Sequence, residues 1–285
     1  MNKENRVEDL IAYAKGYVHS DLAKMLLADL LNINSLELLT ILDKELDDNT
    51  INEYKRRVEE LSIGKPIQYI IGNVNFYGNK FICNSNTLIP RFETECLVEK
   101  TLEKINILFK DKLNNNQKLD IIDLGTGTGC IGLTLKKKLN SNVTLLDISK
   151  DALEVAKLNA KELNLEVKFI ENNMLDNIND KYDVIISNPP YIKDNEEIEE
   201  IVKNNEPHLA LYGGIDGLKY YRNILSNIKN NIKENYLIAF EIGDSQKEDL
   251  FSLAKEYLDN YNIECIKDYS NRDRIILIYN KDEII

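Results

Sequence analysis

Between residues 119 and 279 short apolar runs alternate with segments of helical periodicity, and this alternation limits the possible folds most severely. Runs 119–124, 143–147, 167–170, 182–187, 236–241, 263–267 and 275–279 read as strands, and 130–139, 150–163, 217–232 and 246–258 as helices. Strands of this kind, interleaved with helices, are expected to form a mostly parallel sheet covered on both faces, an α/β fold. Runs 263–267 and 275–279 leave no room for a crossover helix, so they are expected to pair antiparallel through a hairpin near Ser270-Asn271. No long-period internal repeat is present.

The first 64 residues follow a helical period instead: Leu10, Ile11, Ala14 and Tyr17, then Leu22, Met25, Leu26 and Leu30, then Leu38, Leu39 and Leu42. Thr50-Ile51-Asn52-Glu53 matches a capping box opening a helix that runs to Ile63, with Gly64 as C-cap and Pro66 preventing continuation. Phe76-Tyr77-Gly78-Asn79-Lys80-Phe81 reads as a hairpin with a Gly-Asn turn, residues 93–108 as a helix and 110–118 as a polar loop. The expected domains are a helical one over 1–73, a hairpin connector over 74–90 and the α/β domain over 91–285.

Composition excludes some functions. The 285 residues are 43% hydrophobic and 29% charged, with a net charge of -12, which disfavours nonspecific binding to nucleic acid or anionic membrane. No apolar run approaches membrane-spanning length, and Met1-Asn2-Lys3-Glu4-Asn5 carries no signal-like apolar region. Cys83, Cys96, Cys130 and Cys265 are scattered, which suits a reducing cytoplasmic setting, and His19 and His208 are too isolated for a zinc site.

Ser187-Asn188-Pro189-Pro190-Tyr191 follows the buried run 182–187. Two prolines cannot continue a ladder, so they force a rigid extended turn at the strand's end. The Asn188 side chain and the Pro189 carbonyl are left as acceptors for both hydrogens of a planar NH₂ group, and Tyr191 offers a flat face beside it. Chemistry on an amide or amino nitrogen is the expectation.

Asp123-Leu124-Gly125-Thr126-Gly127-Thr128-Gly129 follows the first strand and opens a helix, and Asp147 ends the second strand. Glycines there let a ligand approach the backbone, and a strand-terminal carboxylate can accept from both hydroxyls of a ribose. Gly127-Thr128-Gly129-Cys130-Ile131-Gly132 also fits a dinucleotide fingerprint, so the loop alone leaves NAD and S-adenosylmethionine open. Together with Asn-Pro-Pro-Tyr it resembles the amino- and amide-methyltransferases.

Further segments occur in order: Gly64-Lys65-Pro66-Ile67-Gln68-Tyr69-Ile70, Leu88-Ile89-Pro90-Arg91-Phe92-Glu93-Thr94-Glu95, Glu206-Pro207-His208-Leu209-Ala210-Leu211 and Gly213-Gly214-Ile215-Asp216-Gly217-Leu218. With these the chain resembles, over essentially its whole length, the bacterial release factor glutamine methyltransferase family, also called the HemK family. The resemblance implies a class I S-adenosylmethionine-dependent methyltransferase fold, Rossmann-like with a seven-stranded mostly parallel sheet. It implies methyl transfer from S-adenosylmethionine, leaving S-adenosylhomocysteine, to the glutamine amide nitrogen of the Gly-Gly-Gln loop of class I peptide chain release factors. Gly125, Thr126, Gly127, Thr128, Gly129, Asp147 and Met174 fall on the family's cofactor positions, with Met174 against the adenine. Asn188, Pro189, Pro190 and Tyr191 fall on the substrate-amide site, Asn188 bordering the cofactor as well. Two positions depart from the family pattern: Asn173 stands where an acid is usual, and Phe92 where a proline is. Neither membrane association nor direct nucleic acid binding is expected.

Each residue also has a plainer reading. Asn188 could cap its loop, Tyr191 could be packing, Asp147 a turn residue and Met174 core filler. Arg91 and Glu93 could pair with each other or meet the substrate, and the acidic run 194–200 could be a solvated segment or a flap. Competing functions are a nucleic acid adenine N6-methyltransferase, whose NH₂ suits the same clamp, and a noncatalytic cofactor-binding adaptor.

Overall fold

The computed structural model describes residues 5–280, so most of the reading of residues 1–5 lies outside the described residues. Helices α1 (Val7–Ala14), α2 (Ser20–Leu30), α3 (Ser35–Thr40), α4 (Asp48–Ser62) and α5 (Ile67–Ile71) come first. They enclose an apolar cluster of their own, with Leu10, Leu26, Leu27, Leu38, Tyr54 and Val58 at its centre. A compact unit of residues 1–73 also takes in 199–205, where helix α10 (Glu200–Asn205) lies. The Asn205 amide there donates to the Gly64 carbonyl at 2.9 Å.

Local chemistry corrects several sequence-based expectations in this unit. Helix α4 is capped by Asp47, whose carboxylate accepts from the N–H groups of Asn49 and Thr50 and from the Thr50 hydroxyl. Asp47 outcompetes Thr50 because a carboxylate accepts several bonds at once. Glu53 instead pairs with Arg56 and Arg57. Tyr17, Met25 and Leu39, expected in the core, are 58%, 46% and 52% exposed.

A second unit spans 74–198 and 206–285. Its hairpin pairs β1 (Asn73–Phe76) with β2 (Asn79–Ile82). The turn residues are Tyr77 and Gly78, both at positive φ, rather than Gly78 and Asn79. Phe76 and Phe81 are buried in the same apolar cluster as the sheet strands. Helix α6 (Phe92–Leu108) follows, and the stretch expected as polar loop contains a short helix, α7 (Lys110–Asn114).

The main sheet comprises β3 (Leu119–Leu124), β4 (Ser141–Asp147), β5 (Lys168–Glu171), β6 (Tyr182–Ser187), β7 (Ile232–Glu241), β8 (Tyr261–Lys267) and β9 (Asp273–Asn280), in the order β5-β4-β3-β6-β7-β9-β8. Strands β5 through β7 are mutually parallel, whereas β9 runs antiparallel to both β7 and β8, as expected from the short connection. Helices α8 (Cys130–Lys138), α9 (Lys150–Glu162), α11 (Lys219–Asn231) and α12 (Lys247–Tyr257) supply the cover. One face buries α6, α8, α9 and the hairpin aromatics, and the other α11 and α12. The winding reverses between β3 and β6, and a crevice at the carboxyl ends of such neighbours is where ligands of these sheets bind. Among the described residues no helix is long and apolar enough to cross a membrane.

Candidate functional site

The loop after β3 is shaped by three glycines and one buried acid. Gly125, Gly127 and Gly129 have φ of +68°, +54° and +81°, a region that a side chain strains to reach. The Asp123 carboxyl accepts from the Thr126 hydroxyl at 2.5 Å and from the Gly132 N–H at 3.0 Å. It thereby ties the loop to the first turn of α8. Burial pushes the Asp123 carboxyl up to about 7. Gly132 lets α8 approach, since a Cβ there would lie 2.3 Å from Leu145. From the far side the Asn159 amide donates to the Thr128 and Ile82 carbonyls, each at 2.9 Å.

Asp147, at the end of β4, receives the Gly127 N–H on Oδ2 and the Ser149 N–H on Oδ1, both at 2.9 Å. Burial raises its pKa, opposed by these two backbone donors. One bond per oxygen leaves each with acceptor capacity. Met174 follows at φ +47°, with the Asn172 amide on its carbonyl at 3.2 Å. Its methyl lies 3.6 Å from where a Gly125 Cβ would sit.

The Asn-Pro-Pro-Tyr turn is gripped through its backbone. A Cβ on Gly213 would come within 2.5 Å of the Pro190 carbonyl, and one on Gly217 within 2.3 Å of that of Tyr191. Both belong to the Gly-Gly-Ile-Asp-Gly segment, and at these two positions the absence of a Cβ permits close approach. The Gln246 amide bridges the Tyr191 and Gly217 carbonyls at 3.3 and 3.2 Å. At the switch point itself the Ser187 hydroxyl donates to the Leu124 carbonyl at 2.7 Å.

These segments meet in one cleft open to solvent. Gly125, Gly127, Asp147, Met174, Asn188 and Pro190 line it, as does Asn173. Thr126 and Thr128 are buried beneath the loop, and Gly129 caps α8, so these three shape the cleft without lining it. Pro189 and Tyr191 also stand outside the lining. The Tyr191 ring packs at the edge of the α11/α12 core, and burial raises its phenol to about 12, so it is neutral at physiological pH.

Glu206 and the segments it ties together complete the walls. Glu206 accepts from the Ile89 N–H at 3.1 Å and pairs with Arg91 at 2.5 Å. Arg91 therefore pairs with Glu206 and not with Glu93. Glu206 so joins the strip Asn86-Thr87-Leu88 to Pro207, Leu209 and Ala210, all of which line the cleft. The Asn188 amide donates to the Thr94 hydroxyl at 3.1 Å, and Glu241 is buried beside both. One local signal pointed at Glu241: like Asp147, it is an acid ending an apolar strand.

The donor and acceptor set suits a ligand carrying a nucleoside. Open space lies over Gly127, where an added Cβ would meet nothing within 4 Å, and Asp147 offers paired acceptors for ribose hydroxyls.

Comparison with known proteins gives a consistent picture. The Methyltransferase small domain family matches residues 99–215 and the PrmC N-terminal domain family residues 19–72. A release factor glutamine methyltransferase of Bacillus subtilis (strain 168) is 37% identical over 280 residues, covering 96% of this chain and 90% of that protein. One of Streptococcus pneumoniae is 36% identical over 254 residues, covering 87% of each. The crystal structure of a methyltransferase from Pyrococcus furiosus superposes with a TM-score of 0.52 at 18% identity, covering 80% of this chain and 98% of that one, a likeness of fold alone.

Proposed function

This chain belongs to the release factor glutamine methyltransferase family, and on that premise we propose that it methylates the side-chain amide nitrogen of the glutamine in the Gly-Gly-Gln loop of class I release factors. S-adenosylmethionine, when bound, supplies an electrophilic methyl group on a sulfonium sulfur. Gly125 and Gly127 bring backbone to that ligand without Cβ interference, Asp147 holds its ribose and Met174 lies against its base. The reading sets the reaction in the cytoplasm, with residues 1–73 recognising the release factor.

The observation that carries this reading is the way Asn188 is held in the cleft wall. Its NH₂ is engaged by Thr94, which leaves Oδ1 to accept from a substrate amide. An amide nitrogen is a poor nucleophile because its lone pair is delocalised into the carbonyl. With Asn188 Oδ1 and the Pro189 carbonyl accepting its two N–H groups, the nitrogen is fixed and made more electron-rich. Positioning of this kind contributes up to about 7–11 kcal/mol in favourable systems. The amide proton becomes acidic only as the new bond forms, so the step requires no side chain as a strong base.

Incubation of the protein with methyl-labelled S-adenosylmethionine and a class I release factor, followed by peptide mapping by mass spectrometry, tests the proposal. One methyl group on the Gly-Gly-Gln glutamine is expected. Label on nucleic acid adenine in its place, or cofactor binding with no transfer, would overturn it.

A further inference from the structure

We propose that Thr94 and Glu241 are positioning residues that determine which way round the Asn188 amide faces. The inference rests on the reading of Asn188 as the acceptor for the substrate amide. An asparagine side chain presents an acceptor on one side and two donors on the other, and the two ends have nearly the same shape. Packing alone therefore discriminates poorly between them. With NH₂ toward the substrate, two donors would oppose each other and the clamp would fail.

The surroundings of Asn188 settle the direction. Its Nδ2 meets the Thr94 hydroxyl at 3.1 Å. Thr94, in the first turn of α6, and Glu241, the last residue of β7, are each 2% exposed and so are shielded from bulk solvent. The buried Glu241 carboxyl lies beside both the Thr94 hydroxyl and the Asn188 amide, each of which favours its ionised form, and its Oε2 has no hydrogen-bond partner among the described residues. A hydroxyl has one proton. When Thr94 gives it to the carboxylate, only lone pairs face Asn188, and Asn188 must answer with N–H. Its Oδ1 is then turned toward the cleft. The negative charge thus fixes the polarity of the amide through a shared hydroxyl, at the cost of burying a carboxylate.

Protonation of Glu241 would reverse the logic, because a carboxylic acid can donate to Thr94 and free the threonine proton for Asn188 Oδ1. Burial pushes this carboxyl up to about 7, against hydrogen bonds from Thr94 and Asn188 and the charge of Arg274. The groups facing it are Arg274 from β9, Glu93 from α6, Cys130 from α8, Tyr191 after β6 and Tyr221 from α11. Arg274 is itself held by Asp268 at 3.2 Å and by the Ile242 carbonyl at 2.9 Å.

The test uses the full chain with Thr94→Val, Thr94→Ser and Glu241→Gln. A misdirected hydrogen bond corresponds to a loss in kcat of about 10–100-fold, expected for Thr94→Val and Glu241→Gln with the KM for S-adenosylmethionine little changed. Thr94→Ser keeps the hydroxyl and should rescue. A second readout needs no turnover: the side-chain NH₂ resonances of Asn188, identified by their loss in Asn188→Asp. They should shift in the wild type between about pH 6 and 8, as Glu241 titrates, and stay fixed in Glu241→Gln. Folded Thr94→Val and Glu241→Gln proteins with wild-type kcat, or Asn188 resonances with the same pH response in Glu241→Gln as in the wild type, would overturn the proposal. If the wild type methylates no release factor, the functional reading fails, while the resonances still decide the orientation of Asn188.

Discussion

The backbone N–H of Gly127 donates to the carboxylate of Asp147 at 2.9 Å, so the side chain expected to hold a ribose also holds the glycine loop. Asp147→Ala removes both functions. We expect S-adenosylmethionine binding to weaken by about 1–3 kcal/mol, the range for polar groups left unpaired, and calorimetry measures it. Asp147→Asn retains one acceptor and should fall between the two. Tighter binding of NAD than of S-adenosylmethionine would refute the cofactor assignment.

Asp123 makes stability depend on pH in an unusual direction. Its folded pKa is raised by burial to about 7 from 3.8, so the folded state keeps a proton that the unfolded chain has released. Stability from this group is therefore full below the unfolded value and declines as pH rises toward about 7. Glu241, raised to about 7 from 4.5, acts the same way. Carboxylates held low, such as Glu53 and Asp216 at about 2, contribute the opposite slope only below the acidic edge of that window. Urea midpoints should accordingly be higher at about pH 5 than at about pH 8, and Asp123→Asn should shrink the difference. A wild-type midpoint that rises across this range would contradict the assignment.

Asn188→Ala removes the side-chain acceptor while Pro189, Pro190 and the glycines beneath them stay in place. Transfer to the release factor should fall by about 10²–10³-fold, comparable to losing one oriented group from a reacting centre. Cofactor affinity should change little. Near-normal turnover in a folded variant would exclude the amide clamp.

How far the sequence foretold this structure depended on whether a residue's partner was near in the chain. The run 182–187 was legible to the residue because it is centred on Val184-Ile185-Ile186 and followed, after Asn188, by two prolines. The glycine loop was equally plain, since its glycines stand together in the chain, although Asp147 and Asn159 help to hold it. Contacts across long separations left no periodic trace. Nothing local says that Asn159, polar on an amphipathic helix, bonds Ile82, or that Glu206 reaches Ile89. Tyr191 read as a face for the substrate; its ring also packs against the edge of the α11 and α12 core, a contact that a five-residue motif cannot express. The Asp47 cap was missed for a different reason: two acceptable caps lay three residues apart, and the stronger acceptor prevailed.

The last prediction concerns the helical segment 1–73, which we expect to recognise the release factor and take no part in the chemistry. Its apolar interior is self-contained, built on Leu10, Leu26, Leu27, Leu38 and Tyr54, while residues 74–280 carry two apolar clusters of their own. Tyr17, Leu36, Leu39 and Ile63 remain exposed on it, more apolar side chain than its own core uses. An amide clamp reads only an amide, and the cell offers many exposed glutamines. Discrimination must therefore come from surfaces away from the reacting nitrogen, and such binding energy also holds a flexible loop in place for transfer. Deleting 1–73 takes away the first unit except α10, which buries none of its own side chains and should remain as an exposed segment. The truncated protein should bind S-adenosylmethionine within about threefold of the full chain, a difference under 1 kcal/mol. It should methylate the full release factor far more slowly, and a short Gly-Gly-Gln peptide should be a poor substrate for both forms. A folded truncation that modifies the full factor at the wild-type rate would show that recognition resides in residues 74–285.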